Sequence, residues 1–423
     1  MKNKKDTRIG IIGIGYVGLP LCLAFKKFYP VIAFDLNKKK ISELRDKIDR
    51  NNQFSPKQFG NNKNIFFTHD IMDLNKCNIY IIAVPTPVKK NNIPDLSPLK
   101  TACLLVAKVL KKKDIVIFES TVYPTTTNKI CIPIIEKNSR LVFNKDFYCG
   151  YSPERINPGD KKKVLSGIIK ITSGSTKVTL NRVDELYKKI IKAGTYKAES
   201  MQIAEAAKII ENAQRDINIA FINEIKIIFD KMNIDINKVL KAANTKWNFI
   251  NFKPGLVGGH CIGIDPYYLS FIAKKYNYNP KIILAGRKIN NFMATYEAKY
   301  FLKKIKKNKI KKQYKVLILG ATFKEDCSDL RNSKIIDLFK NFVSMDINTY
   351  IYDPIANFDE LKYFFGNKAL IKLNYKKLKF DGLFVAQKHN FFRQIGLKKF
   401  KKLCYDPRNI YDFKECFANE KIN

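Results

Sequence analysis

Cys261 stands in a segment unlike the surroundings of the other eight cysteines: Gly258-Gly-His-Cys-Ile-Gly-Ile-Asp265. Glycines let a substrate approach the backbone closely. A thiolate there can attack an aldehyde carbon, and the resulting thiohemiacetal can lose a hydride. The thioester left behind can be hydrolysed. One site would then oxidise an alcohol twice, to a carboxylate. The competing reading is a buried structural cysteine, which suits the other eight. Lys208 and Asn212 favour chemistry. They lie at i and i+4 of a helical pattern and so share one face. Both can donate to a developing alkoxide or thiohemiacetal oxyanion.

A hydride needs an acceptor. Gly13-Ile-Gly15-Tyr16-Val17-Gly18 follows a strand pattern and opens a helix. Gly13 permits a tight turn, Gly15 a close approach to a pyrophosphate, and Gly18 close helix–strand packing. The helix N-terminus would face the phosphates. Asp35 ends the next strand, where a carboxylate binds a ribose 2′-OH and repels a 2′-phosphate, so NAD is expected over NADP. Two further loops, Val84-Pro-Thr-Pro87 and Ser120-Thr-Val-Tyr-Pro124, end strands and border such a cofactor.

These residues need elements to hold them. Strands are expected at residues 8–14, 31–35, 79–84 and 115–119, with a helix over 17–28. A strand at 167–172 is expected to close this first α/β unit. Residues 199–231 carry a long helical pattern without Pro or Gly, and helix continues through Lys241. The Gly/Pro-rich stretch from Lys253 to Pro266 reads as a loop. A second α/β pattern has strands at 315–320, 349–354, 382–386 and 409–411. It lacks GxGxxG, so no second dinucleotide site is expected there.

Composition narrows the class. With 46% hydrophobic residues and 423 positions, two or three domains are expected. The formal charge is +40, but the lysines are scattered in short clusters, which speaks against a nucleic-acid surface. An odd number of cysteines without a CxxC pair fits a reducing cytoplasm. No His/Cys spacing suits a metal. The basic start before Ile9 mimics a signal peptide, but Gly10, Gly13, Gly15 and Gly18 interrupt the run that follows. No stretch is long and apolar enough for membrane insertion.

Taken in order, the motifs GIGYVGLP (13–20), VPTP (84–87), STVYP (120–124), SPERINPG (152–159), EAAKIIENAQRDINIAFINE (205–224), KPGLVGGHCIGIDPYYL (253–269) and GATFKEDCSDLRNS (320–333) resemble the UDP-glucose/GDP-mannose dehydrogenase family. The resemblance implies an α/β chain of three parts. These are an N-terminal NAD-binding Rossmann domain (1–198), a central helical dimerisation region with a long connecting helix (199–300), and a C-terminal Rossmann-like α/β domain binding the UDP-sugar (301–423). It implies two hydride transfers, a uronic acid and two NADH, carried out by a cytoplasmic homodimer.

Carried onto matching positions, Cys261 is the nucleophile, and Lys208 and Asn212 stabilise the oxyanion. Asp265 and Thr121 hold water or assist proton transfer, and Glu154 is the acid/base residue for hydrolysis. The cofactor set is Gly13, Gly15, Tyr16, Val17, Gly18, Asp35, Pro85, Thr86, Thr121 and Arg331. The substrate set adds Arg155, Lys253, Gly258, Gly259, Phe323 and Lys324 to Glu154, Lys208 and Asn212. The UDP-glucose enzymes carry a second glutamate four residues after the position of Glu154; here it is Pro158. Their partner-subunit arginine has no clear match, although Lys246 in TKWNF lies in that stretch. SPERINPG, TKWNF and GGHCIGIDPYYL look like enzymes acting on UDP-N-acetylhexosamines in capsule and O-antigen synthesis. Three alternatives remain at this point: a UDP-glucose or UDP-N-acetylmannosamine enzyme, a single-step dehydrogenase of the 6-phosphogluconate type, and a non-catalytic Rossmann protein that binds nucleotides or nucleic acid.

Overall fold

The computed structural model describes residues 7–51, 53–60, 63–89, 91–155, 165–259, 261–306 and 313–418. Pro158 and His260, both singled out above, lie outside these residues. Packing divides the chain into two units. One is Met1–Asn212 with Tyr267–Asn279; the other is Ala213–Pro266 with Pro280–Asn423.

The first unit is built on short apolar strands that are buried on both faces, as parallel sheets require. They are β1 (Ile9–Ile12), β2 (Val31–Phe34), β3 (Ile65–Thr68), β4 (Ile79–Ile82), β5 (Ile115–Phe118) and β6 (Tyr148–Tyr151). Their order is β3-β2-β1-β4-β5-β6, all parallel. Ile9 is level with both Val31 and Ile79. The order reverses between β1 and β4, which puts a crevice at the strand C-termini there.

One expectation is corrected. The strand at 167–172 does not close this sheet. Instead β7 (Lys170–Thr172) pairs with β8 (Thr195–Lys197) in a separate two-stranded ribbon, and β6 takes the edge. Gly150 explains the fit, because a Cβ there would stand 2.8 Å from the Ser173 carbonyl oxygen.

The helix Met201–Met232 spans 32 residues, about 48 Å at 1.5 Å per residue. Helix does not run unbroken to Lys241. It stops and restarts as Ile236–Ala243, with the Asp235 side chain accepting from Asn237 N. The second unit holds a parallel sheet of β9 (Lys315–Leu319), β10 (Asn348–Tyr352), β11 (Gly382–Val385) and β12 (Ile410–Asp412), in the order β10-β9-β11-β12. Phe301, Phe342 and Phe384 pack edge to face over one side of it. The long helix Lys281–Lys306 runs in this unit, and Met293, Ala294, Ala298 and Phe301 are its buried apolar residues.

Candidate active site

The dinucleotide turn lies between β1 and the helix Gly18–Phe25. Gly13 has φ +93°, a conformation that costs an L side chain energy. A Cβ on Gly18 would stand 2.0 Å from the Gly13 carbonyl oxygen, so only glycine lets the helix start this close to the strand. Nothing lies within 4 Å of a Cβ built on Gly15, which leaves its backbone open to a ligand. Tyr16 and Val17 complete the turn. At the end of β2, the Asp35 carboxylate accepts from Ile14 N at 2.9 Å and Asn37 N at 3.0 Å. Lys40 Nζ lies 2.8 Å from it. A phosphate-sized opening beside a carboxylate suits the adenosine half of NAD.

The loops after β4 and β5 are tied together. Thr86 Oγ1 donates to the Thr121 carbonyl at 2.6 Å, and Ser120 Oγ donates to the Val84 carbonyl at 2.7 Å. Tyr268, absent from the sequence-level site list, donates its hydroxyl to the Thr86 carbonyl at 2.6 Å. Glu205 was also missed. Its carboxylate accepts from Thr125 N, Thr127 N and Thr127 Oγ1, which ties the long helix to the loop carrying Thr121. Burial pushes Glu205 up to about 7 against these three donors.

Lys208 and Asn212, one turn apart on the same helix, are only 7% exposed. A solvated pair would not look like this. Glu154, just past β6, is buried, and its Oε1 accepts from Arg155 N at 2.6 Å. Arg155 pairs with Glu211 at 2.6 Å and donates to the Ile169 carbonyl. So β4, β5, β6 and the long helix bring Pro85, Thr86, Thr121, Glu154, Arg155, Lys208 and Asn212 into the first unit.

The second unit holds the cysteine loop by its backbone. The Asn223 side chain donates to the Gly255 carbonyl and accepts from Gly255 N, each at 2.9 Å. Asn223 is fixed in turn by Asn290, which donates to Asp216, the partner of Arg287 at 2.6 Å. Gly259 N donates to the Asn332 carbonyl at 3.1 Å. A Cβ on Gly258 would stand 2.4 Å from that same carbonyl oxygen. Past the cysteine, Ile264 N and Asp265 N both donate to the Cys261 carbonyl, at 3.0 and 2.8 Å. Asp265 is buried.

Eight cysteines are buried and Cys261 is partly exposed, as a nucleophile must be. Burial pushes Cys77, Cys404 and Cys416 up to about 12, which marks them as inert thiols. Phe323 and Lys324 lie on the turn after β9, where Phe323 N donates to the Asp329 carbonyl at 3.2 Å. His389, buried, accepts Asp326 N on Nδ1 at 2.9 Å and faces Asp353 at 3.1 Å from Nε2, so it fixes this turn. Arg331 makes a two-point pair with Asp329 in the same unit. Lys253 pairs with Glu415. Among the described residues, no group of three or more His, Cys, Asp or Glu is arranged to hold a metal. No helix among them is long and apolar enough to cross a membrane.

Comparison with known proteins agrees with this geometry. Residues 7–191 match the NAD binding domain of the UDP-glucose/GDP-mannose dehydrogenase family, 202–292 its central domain and 317–419 its UDP binding domain. The chain is 46% identical over 418 residues to the UDP-N-acetyl-D-glucosamine 6-dehydrogenase of Pseudomonas aeruginosa, covering 99% of each chain. It is 47% identical over 417 residues to the enzyme of the same name from Salmonella typhi, covering 98% of each. A solved UDP-D-ManNAc dehydrogenase from Pyrococcus horikoshii superimposes with a TM-score of 0.84 at 26% identity, over 95% of this chain and 94% of that one. The chain belongs to the UDP-glucose/GDP-mannose dehydrogenase family, whose members are NAD-dependent oxidoreductases of nucleotide sugars.

Proposed function

We propose that the chain oxidises the C6 alcohol of a UDP-N-acetylhexosamine to the uronic acid in two steps, for surface polysaccharide synthesis in the cytoplasm. UDP-N-acetylglucosamine is the first substrate to test. The observation that carries this reading is identity of 46–47% along the whole chain to two UDP-N-acetyl-D-glucosamine 6-dehydrogenases.

NAD, held by the Gly13–Gly18 turn and Asp35, would supply the hydride acceptor for each oxidation. The chain's own residues do the rest. Lys208 and Asn212 donate to the oxygen on C6 as it gains charge. The Cys261 thiolate adds to the aldehyde carbon, and loss of a hydride leaves a thioester. Water held by Thr121 and Asp265 then attacks that carbon. A C–O bond forms, the C–S bond breaks, and the water proton passes through Glu154 towards the departing thiolate. Lys324, Phe323, Arg155 and Lys253 bind the nucleotide sugar, with the Gly258–Gly259 backbone open to it. Arg331 borders the cofactor.

A homodimer is part of the proposal. Ile203, Ile210, Phe221, Ile228 and Met232 are each 44–58% exposed. At about 100° per residue they fall within a strip about 40° wide along the helix Met201–Met232. An apolar strip this long calls for a second copy.

The test is a panel of UDP-linked glucose, N-acetylglucosamine, N-acetylgalactosamine and N-acetylmannosamine with NAD. The expected result is highest turnover with UDP-N-acetylglucosamine and two NADH per sugar. One NADH per sugar, with an aldehyde or ketone released, would overturn the reading.

A further inference from the structure

Beneath Glu154 lies a charged pair that the chemistry above does not use. Lys170 opens β7 and is 2% exposed; Glu119 follows β5 and is 1% exposed. An uncompensated buried charge is costly, so such a pair persists only if its bonds are satisfied. All three donors of the Lys170 ammonium are used. Nζ lies 2.5 Å from Glu119 Oε2, 3.2 Å from the Ser152 carbonyl oxygen and 2.7 Å from the Pro153 carbonyl oxygen. Tyr187 donates its hydroxyl to the other Glu119 oxygen, and its ring faces the same ammonium.

Ser152 and Pro153 are the two residues before Glu154. Their segment is pinned further by Ser152 N on the Phe118 carbonyl and Ser152 Oγ on the Ile171 carbonyl, at 2.9 and 2.7 Å. A lysine spent mainly on stabilising the sheet has no need of two consecutive carbonyls in the strand's exit. Here those carbonyls set the direction in which the Glu154 side chain leaves the backbone. Glu119 is also electrostatically close to Glu154. Burial pushes Glu119 up to about 7, Lys170 pulls it down, and the Glu154 carboxylate raises it again.

We propose that Lys170, balanced by Glu119 and oriented by Tyr187, is a positioning residue for Glu154 in thioester hydrolysis. It clamps the Ser152 and Pro153 carbonyls so that the carboxylate meets the attacking water. The proposal rests on the two-step reading and on Glu154 as the acid/base residue. It also bears on Pro158: with proline where related enzymes have a second glutamate, one carboxylate must be held more firmly. Lys170 touches neither substrate nor cofactor, so its loss should act on hydrolysis and spare both oxidations.

The test compares rapid-mixing NADH traces of wild type, Lys170→Met and the double variant Glu119→Leu/Lys170→Met. The double variant removes both charges and so avoids an unpaired buried carboxylate. In both variants the expected trace is a burst of about two NADH per active site followed by a steady state slowed about tenfold or more, the scale of a misplaced catalytic group. KM for the UDP-sugar should change little. A double variant whose steady-state rate matches wild type would overturn the proposal. So would burst and steady state falling together, which marks a merely structural pair. If wild type itself yields one NADH per sugar, the two-step reading fails and this inference with it.

Discussion

Gly259 presses its bare Cα against the ring of Phe323: a Cβ built there would stand 2.7 Å from ring atom Cδ2. The contact joins the cysteine loop to the turn after β9 within one unit. Gly259 also has φ +84°. Gly259→Ala should therefore suffer twice, from the left-handed backbone, about 1–2 kcal/mol, and from the ring. Turnover should fall by about tenfold or more while NAD affinity, measured by calorimetry, stays at the wild-type value. Wild-type turnover in the alanine variant would show that the loop tolerates movement.

The Asp35 carboxylate is set where a 2′-phosphate would otherwise sit, with Lys40 paired to it at 2.8 Å. Asp35→Asn keeps an acceptor for Ile14 N but removes the charge. The ratio of kcat/KM for NAD over NADP should drop by about tenfold or more, since like charges in contact cost several kcal/mol. An unchanged ratio would mean that other residues choose the cofactor.

Much of this site was legible in the sequence. The β1 turn announces itself by Gly13, Gly15 and Gly18 at fixed spacing with Asp35 beyond. Cys261 stood out from eight inert thiols by its glycines alone. What escaped is non-local. Glu119 and Lys170 are 51 residues apart, and nothing near Lys170 distinguishes it in so lysine-rich a chain. The available signal was Glu119 itself, a carboxylate ending the apolar run Ile115–Phe118. β3 and β6 were missed for a different reason. The four residues Tyr148–Tyr151 include a glycine and a cysteine, and carry too little pattern to mark a strand. Their place in the sheet is decided by packing against Ser173 and Val183.

Glu205 gives the first unit a stability that depends on pH. Its carboxyl is raised by burial to about 7 in the folded chain, against an ordinary value of 4.5. A raised carboxyl binds its proton more tightly folded than unfolded. Its contribution is therefore full below pH 4.5 and is lost as pH rises to about 7. Melting temperature should fall over that window. Glu205→Gln should melt lower throughout, because its amide meets the Thr125 N–H, yet show a flatter slope. A slope identical to wild type would exclude Glu205 as the titrating group.

The strip from Ile203 to Met232 makes a prediction about assembly. Phe221 lies in its middle, 57% exposed. Phe221→Glu puts a charge into an interface that would otherwise exclude water. Light scattering should report a dimer for wild type and a monomer for the variant at the same concentration. A variant with wild-type mass would place the dimer contact elsewhere.

The central claim is a covalent intermediate on Cys261. The most direct measurement is the intact mass of enzyme mixed with NAD and UDP-N-acetylglucosamine and quenched with acid during the first turnover, followed by mapping of the modified peptide. The account predicts an acyl adduct of the nucleotide-sugar uronyl group on the Cys261 peptide, absent from Cys261→Ser, which should also lose steady turnover. A Cys261→Ser variant that still makes uronic acid at the wild-type rate, with no adduct found in either protein, would contradict it.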